Sequence, residues 1–251
     1  MSKFFIKNNQ FFDYNNEIDI IGEDINHIKK VLRKNIGDEL NICNTDSGDN
    51  YLVKIKTFEK EKIICSIIKR IESENESNVK ISLFQGLPKF DKMEYIIQKN
   101  TEVGVYDFYP IIMKRTIVKV REEDKEKRIS RFNKIAEGAA KQSLRDIIPE
   151  VHNIVSFNSV LESLKEYDLV LVAYEDEENN SLKSVLRNIS EKKEYKIAVL
   201  IGPEGGIDVE EINSLKKLDN SKIVSLGKRI LRTETAGIVI NSQIMYELSI
   251  N

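Results

Sequence analysis

The residues best suited to chemistry lie in the last fifth of this 251-residue chain. Ile201-Gly202-Pro203-Glu204-Gly205-Gly206 follows directly on the apolar run 198–201. Pro203 fixes φ, and paired glycines permit positive φ and bring bare backbone close to a ligand. Asp208 reads as a helix N-cap, with Glu211 at the capping-box position. A strand, a glycine-rich turn and a helix N-terminus form the place where open α/β sheets bind small molecules. The alternative for this segment alone is a tight turn with no ligand. Two other strand ends are expected nearby. One runs into Tyr174-Glu175, the other into Gly227-Lys228-Arg229-Ile230-Leu231-Arg232. Leu226, Ile230 and Leu231 suit the faces of a flat apolar ring whose edge is read by backbone groups.

These loops need a sheet to hold them. Residues 79–87, 108–113, 168–174, 196–201 and 222–226 read as short, nearly all-apolar strands. Helical patterns at 92–103, 122–144, 182–189, 209–218 and 234–248 separate them. That alternation predicts a mainly parallel sheet covered on both faces. Residues 1–72 read differently, as strands with one short helix over 24–35, where Ile25, Ile28, Val31 and Leu32 recur at helical spacing. The polar run 73–78 between the two patterns reads as a linker. The expected organisation is therefore a β-rich domain 1–72, a linker 73–78 and an α/β domain 79–251.

The net charge of −2 conceals a basic segment, since residues 114–145 hold 11 Lys and Arg against 5 Asp and Glu. On the helix predicted for 122–144, Ile129, Phe132, Ile135, Ala136, Ala139, Ala140 and Leu144 share one face. Arg131, Lys134, Lys141 and Arg145 fall on an adjoining stripe. This row suits phosphate contacts, or else is a solvated charged face. There is no GxxxxGK[ST], no early GxGxxG, no HExxH and no GxSxG, which argues against the corresponding nucleotide, protease and hydrolase chemistries. Two histidines and two cysteines with no ligand spacing predict no metal. No apolar run reaches the ~18 residues of a membrane span. The N-terminus lacks a signal-peptide pattern, and Cys43 and Cys65 form no CxxC, so a reducing cytoplasm is the expected setting.

Gly202-Pro203-Glu204-Gly205-Gly206, followed by Leu226-Gly227-Lys228-Arg229-Ile230-Leu231-Arg232-Thr233-Glu234-Thr235-Ala236, resembles the signature of the RsmE family of SPOUT methyltransferases. Shorter matches extend the resemblance along the chain. They are His27 with Val31-Leu32-Arg33 and Gly37-Asp38, Gln98-Lys99 with Thr101-Glu102 and Gly104-Val105, and Ala139-Ala140 with Gln142-Ser143 and Arg145. Lys3 stands where the family usually has an arginine, and Lys141 where an acidic residue is common. The resemblance implies a small PUA-like β-barrel domain followed by an α/β SPOUT domain with a C-terminal trefoil knot. It implies S-adenosylmethionine-dependent methylation of N3 of a uridine in 16S ribosomal RNA, number 1498 in the usual numbering. It also implies a homodimer acting on the small ribosomal subunit.

On that resemblance, Tyr174, Glu175, Ile201, Gly202, Pro203, Glu204, Gly205, Gly206, Leu226, Gly227, Ile230, Leu231 and Arg232 are the expected cofactor residues. Lys3, Arg33, Lys89, Lys92, Arg115, Arg131, Lys134, Lys141 and Arg145 are the expected RNA contacts. Arg232 is the catalytic candidate, as a cation beside a uracil carbonyl that becomes anionic; the alternative is a structural ion pair with Glu204 or Glu234. Two other functions fit the same chain less well. One is ribose 2′-O-methylation by a related enzyme, and the other is an RNA-binding assembly factor without turnover.

Overall fold

The computed structural model describes residues 3–72, 75–190 and 192–249. The chain divides into two compact units, residues 1–76 with 140–148, and residues 77–139 with 149–251. Ser73 and Glu74 of the expected linker lie outside the described residues. Among the described residues no helix is long and apolar enough to cross a membrane.

The first unit contains β1 (Lys3–Ile6), β2 (Phe11–Phe12), β3 (Glu17–Ile21), α1 (Glu23–Asn26), β4 (Glu39–Asn44), β5 (Asn50–Phe58) and β6 (Lys62–Ile71). The strands form one sheet in the order β1-β4-β5-β6-β3-β2. Only the β1–β4 pairing is parallel. Among the described residues the sheet is open at β1 and β2, where a closed barrel was expected. Alternation sets its inner face: Ile18 and Ile20 are buried while Glu17 and Asp19 are not. With Phe4, Ile42, Val53, Ile55 and Ile63 they make a one-sided core. The helix expected over 24–35 is shorter. After α1 the chain widens into a π-helical turn, His27–Val31, and Arg33 adopts a left-handed φ of 52°. Only Ile28 of this stretch is fully buried, so little packing holds a longer regular helix.

The second unit comprises β7 (Val79–Gly86), α2 (Phe90–Val103), β8 (Asp107–Ile112), α3 (Glu122–Gln142), β9 (Glu150–Val151), β10 (Val155–Ser156), α4 (Phe157–Val160), β11 (Leu169–Ala173), α5 (Leu182–Arg187), β12 (Tyr195–Ile201), α6 (Val209–Leu215), β13 (Ser221–Val224) and α7 (Thr233–Leu248). From Ala140 onward α3 belongs to the first unit. The sheet order is β10-β8-β7-β12-β11-β13, with β9 also on β8, and every pairing is parallel. Strand residues alternate between two apolar layers. Ile197, Val199 and Ile201 join the cluster that includes α2 and α7, while Ala198 and Leu200 join the cluster that includes α6. This is why the strands read as continuous apolar runs. A buried polar contact supports the α2–α7 packing, with Asn241 Nδ2 donating to Asn100 Oδ1 at 2.8 Å. Parallel pairing aligns the carboxyl ends of β11, β12 and β13 along one edge. Their loops carry the motifs singled out above.

Candidate active site

A cavity of about 400 Å³ opens at that edge. Its wall is built from residues 173–175 at the end of β11, 201–204 with 206–207 at the end of β12 and 225–232 after β13, with Thr233 and Ala236 of α7 and Lys92 of α2. Every residue expected to hold a cofactor lines it except Gly205. Lys92, Ala173, Ile207, Ser225, Thr233 and Ala236, with Lys228 and Arg229, complete the wall. Thr233 and Ala236 lie within the recognised motif. Ala173 and Ser225 lie next to it in the strand-end loops, and only the folded sheet reveals them as lining. Leu226 and Leu231 are half-buried against the core, whereas Ile230 is 81% exposed at the rim. All three line the cavity, Leu226 and Leu231 from its wall with Ala236 and Ile230 from its rim.

The glycine-rich loop is held from several sides. Gly202 O accepts from Thr233 Oγ1 at 2.7 Å and from the buried Gln85 Nε2 at 3.3 Å, and Gln85 Nε2 also donates to Thr233 Oγ1 at 2.9 Å. Gly205 sits outside the cavity because it packs on the segment after β8. A Cβ there would stand 2.9 Å from Arg115 O and 3.0 Å from Arg115 Cβ. The next residue, Gly206, takes a φ of 74°, and its N–H donates to Pro203 O at 2.9 Å. Asp208 then caps α6 in a capping box with Glu211, as the sequence predicts. The buried Glu211 also accepts from Lys114 N at 2.9 Å.

Charge around the cavity is organised by partners. Glu204 Oε1 accepts from Lys89 N at 3.2 Å and lies 3.3 Å from Lys92 Nζ. Burial works to raise the Glu204 carboxyl, but hydrogen bonds from its own and the Lys89 N–H and from Lys92 outweigh it and hold it below the usual range. Burial likewise works against the Lys92 charge, and Glu204 and Glu234 outweigh it, leaving that ammonium above its ordinary value. A hydrogen bond to the Asp176 carboxylate, then partial burial, lifts the Tyr174 phenol. Arg232 is the N-cap of α7; its side chain is 81% exposed, with Nη1 3.9 Å from Glu234 Oε1. Glu204 is paired with Lys92, which leaves Glu234 as the carboxylate beside Arg232.

The expected RNA contacts divide into cations held in buried ion pairs and cations left at the surface. Arg145 leaves the predicted row because α3 ends at Gln142. Leu144 turns left-handed with φ 61°, and Arg145 N donates back to Ala140 O. The Arg145 side chain is 5% exposed and pairs with Glu76 at 2.7 Å. Lys141 pairs with Asp24 at 2.7 Å, and the buried Lys3 pairs with Asp146. All three cations therefore hold the first unit together and are turned away from solvent. Arg131 remains exposed but contacts Glu94 at 2.7 Å. Lys134 lies exposed on α3, and Arg33 is exposed on the first unit. Lys89 is exposed, its backbone serving Glu204. Arg115 braces the loop, its Nη1 donating to Gly205 O at 3.3 Å and its Nε 3.6 Å from Asp208 Oδ2.

Comparison with known proteins agrees with this architecture. A family model described as an RNA methyltransferase domain matches residues 75–245, and one described as an RNA methyltransferase PUA domain matches residues 20–68. The ribosomal RNA small subunit methyltransferase E of Bacillus subtilis strain 168 is 36% identical over 230 residues, covering 91% of this chain and 89% of that one. Its namesake from Mesomycoplasma hyopneumoniae strain 232 is 35% identical, covering 86% and 88%. The crystal structure of the Neisseria gonorrhoeae ribosomal RNA small subunit methyltransferase E, bound to S-adenosyl methionine, superposes with a TM-score of 0.86. It is 26% identical and covers 99% of this chain and 98% of that one. Both units and the loop motifs thus fall within a single match, and the chain belongs to the ribosomal RNA small subunit methyltransferase E family.

Proposed function

We propose that the protein methylates N3 of a uridine in small-subunit ribosomal RNA, with S-adenosylmethionine as methyl donor. The observation that carries this is the cavity where three carboxyl-end loops meet. Its volume suits a small cofactor. Its backbone is bare at Gly202, Gly206 and Gly227, and its apolar surface from Leu226, Leu231 and Ala236 suits an adenine ring. Glu175 and Glu204 add negative charge fitting a cationic ligand. When bound, S-adenosylmethionine supplies an electrophilic methyl group on sulfonium.

The chain's own residues position and exclude water. The Gln85–Gly202–Thr233 contacts hold the loop carbonyl away from the ligand face and leave loop amides available. Arg232, exposed at the cavity mouth, sets a cation where a uracil carbonyl gains negative charge as N3 loses its proton. Lys228 and Arg229, also exposed beside the mouth, are assigned to the phosphates flanking the target base.

The finer reading follows the same family. The target is uridine 1498, the enzyme is a cytoplasmic homodimer working on the small subunit, and the N-terminal open sheet acts as a PUA-like RNA-binding unit. The loops at 201–206 and 226–232 belong to a trefoil knot in this reading. Domain boundaries at 72 and 79 belong to this reading too. Calorimetry with S-adenosylmethionine, followed by methyl transfer to small-subunit RNA, tests the function. Wild-type protein is expected to bind, and Gly205→Val to lose binding; no heat with wild type would defeat the assignment.

A further inference from the structure

Lys92 was expected to touch RNA, but its surroundings assign it elsewhere. It sits in the first turn of α2 with a side chain only 26% exposed. Its Nζ is 3.3 Å from Glu204 Oε1 on the glycine-rich loop and 3.5 Å from Glu234 Oε2 in the first turn of α7. Those carboxylates are themselves 24% and 16% exposed. Lys89 N adds a second donor from the same helix end to Glu204. Glu234 Oε1 faces the other way, 3.9 Å from Arg232 Nη1. Three elements that are distant in sequence therefore meet at one ammonium group. A phosphate would have to compete with two carboxylates for a cation already drawn under the cavity wall.

We propose that Lys92 is a positioning residue for methyl transfer: by bridging Glu204 and Glu234 it locks the glycine-rich loop to the start of α7, and so fixes the cofactor pocket and the base of Arg232. The shared Glu234 links loop order to Arg232, because one oxygen of that carboxylate forms an ion pair with Lys92 at 3.5 Å and the other is approached by the guanidinium at 3.9 Å. This inference rests on reading the cavity as the S-adenosylmethionine site.

The test compares Lys92→Met, Lys92→Arg and Glu234→Gln with wild type. In cofactor-free protein, amide hydrogen exchange should quicken at 202–206 and 233–236 in Lys92→Met, while β7 and β12 keep their protection. Calorimetry should show S-adenosylmethionine binding weakened about tenfold, the scale of one lost charge-assisted hydrogen bond. Single-turnover methylation at saturating cofactor should also fall, because Arg232 loses its support. Lys92→Arg should restore most of both, and Glu234→Gln should loosen 233–236 in the same way. If Lys92→Met does not fold, these two variants carry the test. Unchanged exchange and cofactor affinity, with an RNA salt slope lower by about 0.7–0.9, would make Lys92 a phosphate contact and overturn the proposal. Loss of protection throughout β7 and β12 would make it a general stability residue and overturn it too. A wild-type protein that bound no S-adenosylmethionine would sink the cavity's assignment instead, since the exchange measurement reads the bridge without cofactor.

Discussion

Basic residues are used in opposite ways in two regions of the molecule. At the cavity mouth, Lys228 and Arg229 stand exposed with no ion-pair partner among the described residues, and Arg232 has only a carboxylate at 3.9 Å. Where α3 ends, Arg145 and Lys141 are drawn inward onto Glu76 and Asp24, and Lys3 is held by Asp146. A cation that is exposed and weakly paired keeps its charge available to a polyanion. A buried pair has already satisfied it, and removing one partner leaves the other stranded in a poor solvent. A positive balance along a segment therefore does not locate an RNA surface; the partner of each cation does.

The largest effect expected from this contrast is at Arg145. Arg145→Met should cost about 3–5 kcal/mol of stability, by leaving the Glu76 carboxylate without its buried partner. Denaturant unfolding measures this, and a loss below about 0.5 kcal/mol would return Arg145 to the solvated surface. Arg232→Lys sharpens the other side. It keeps the charge but loses the planar fork, so turnover at saturating cofactor should fall by ~10²–10³ with little change in cofactor affinity. A lowered melting temperature with near-normal turnover would make Arg232 a structural residue.

A smaller effect is expected from Lys228→Gln with Arg229→Gln. The RNA salt slope should drop by about 1.4–1.8, with stability within about 0.5 kcal/mol of wild type. An unchanged slope would remove the contrast between the regions. The smallest effect concerns pH. Glu204 is held below the usual carboxylate range in the folded protein, so its contribution is present above the unfolded value of ~4.5 and is lost as pH falls through the folded value. The melting-temperature gap between wild type and Glu204→Gln should stay level from pH 8 to about 5 and close on further acidification. A gap that closed already near pH 6 would show that Lys92 and the two N–H groups do not hold the carboxylate.

What was legible in the sequence depended on local chemistry. The Gly202–Gly206 loop, its Asp208 cap and the apolar strand before it are written in consecutive residues, and backbone conformation follows from them. The parallel sheet was legible for a similar reason, since strands buried on both faces carry no polar alternation. The end of α3 was not, because the left-handed stop falls on Leu144, where no glycine announces it. Nor was the assignment of residues 140–148 to the first unit, which depends on Glu76 and Asp146, far apart in the chain. The Lys92 bridge joins residues 112 and 142 positions apart, and spacing along one helix cannot reveal such partners.

The most direct test of the central claim is nucleoside analysis of small-subunit ribosomal RNA after incubation with the protein and isotopically labelled S-adenosylmethionine. The account predicts label in N3-methyluridine, from one site. Label in a ribose 2′-O-methyl nucleoside, or none in RNA despite cofactor binding, would contradict it.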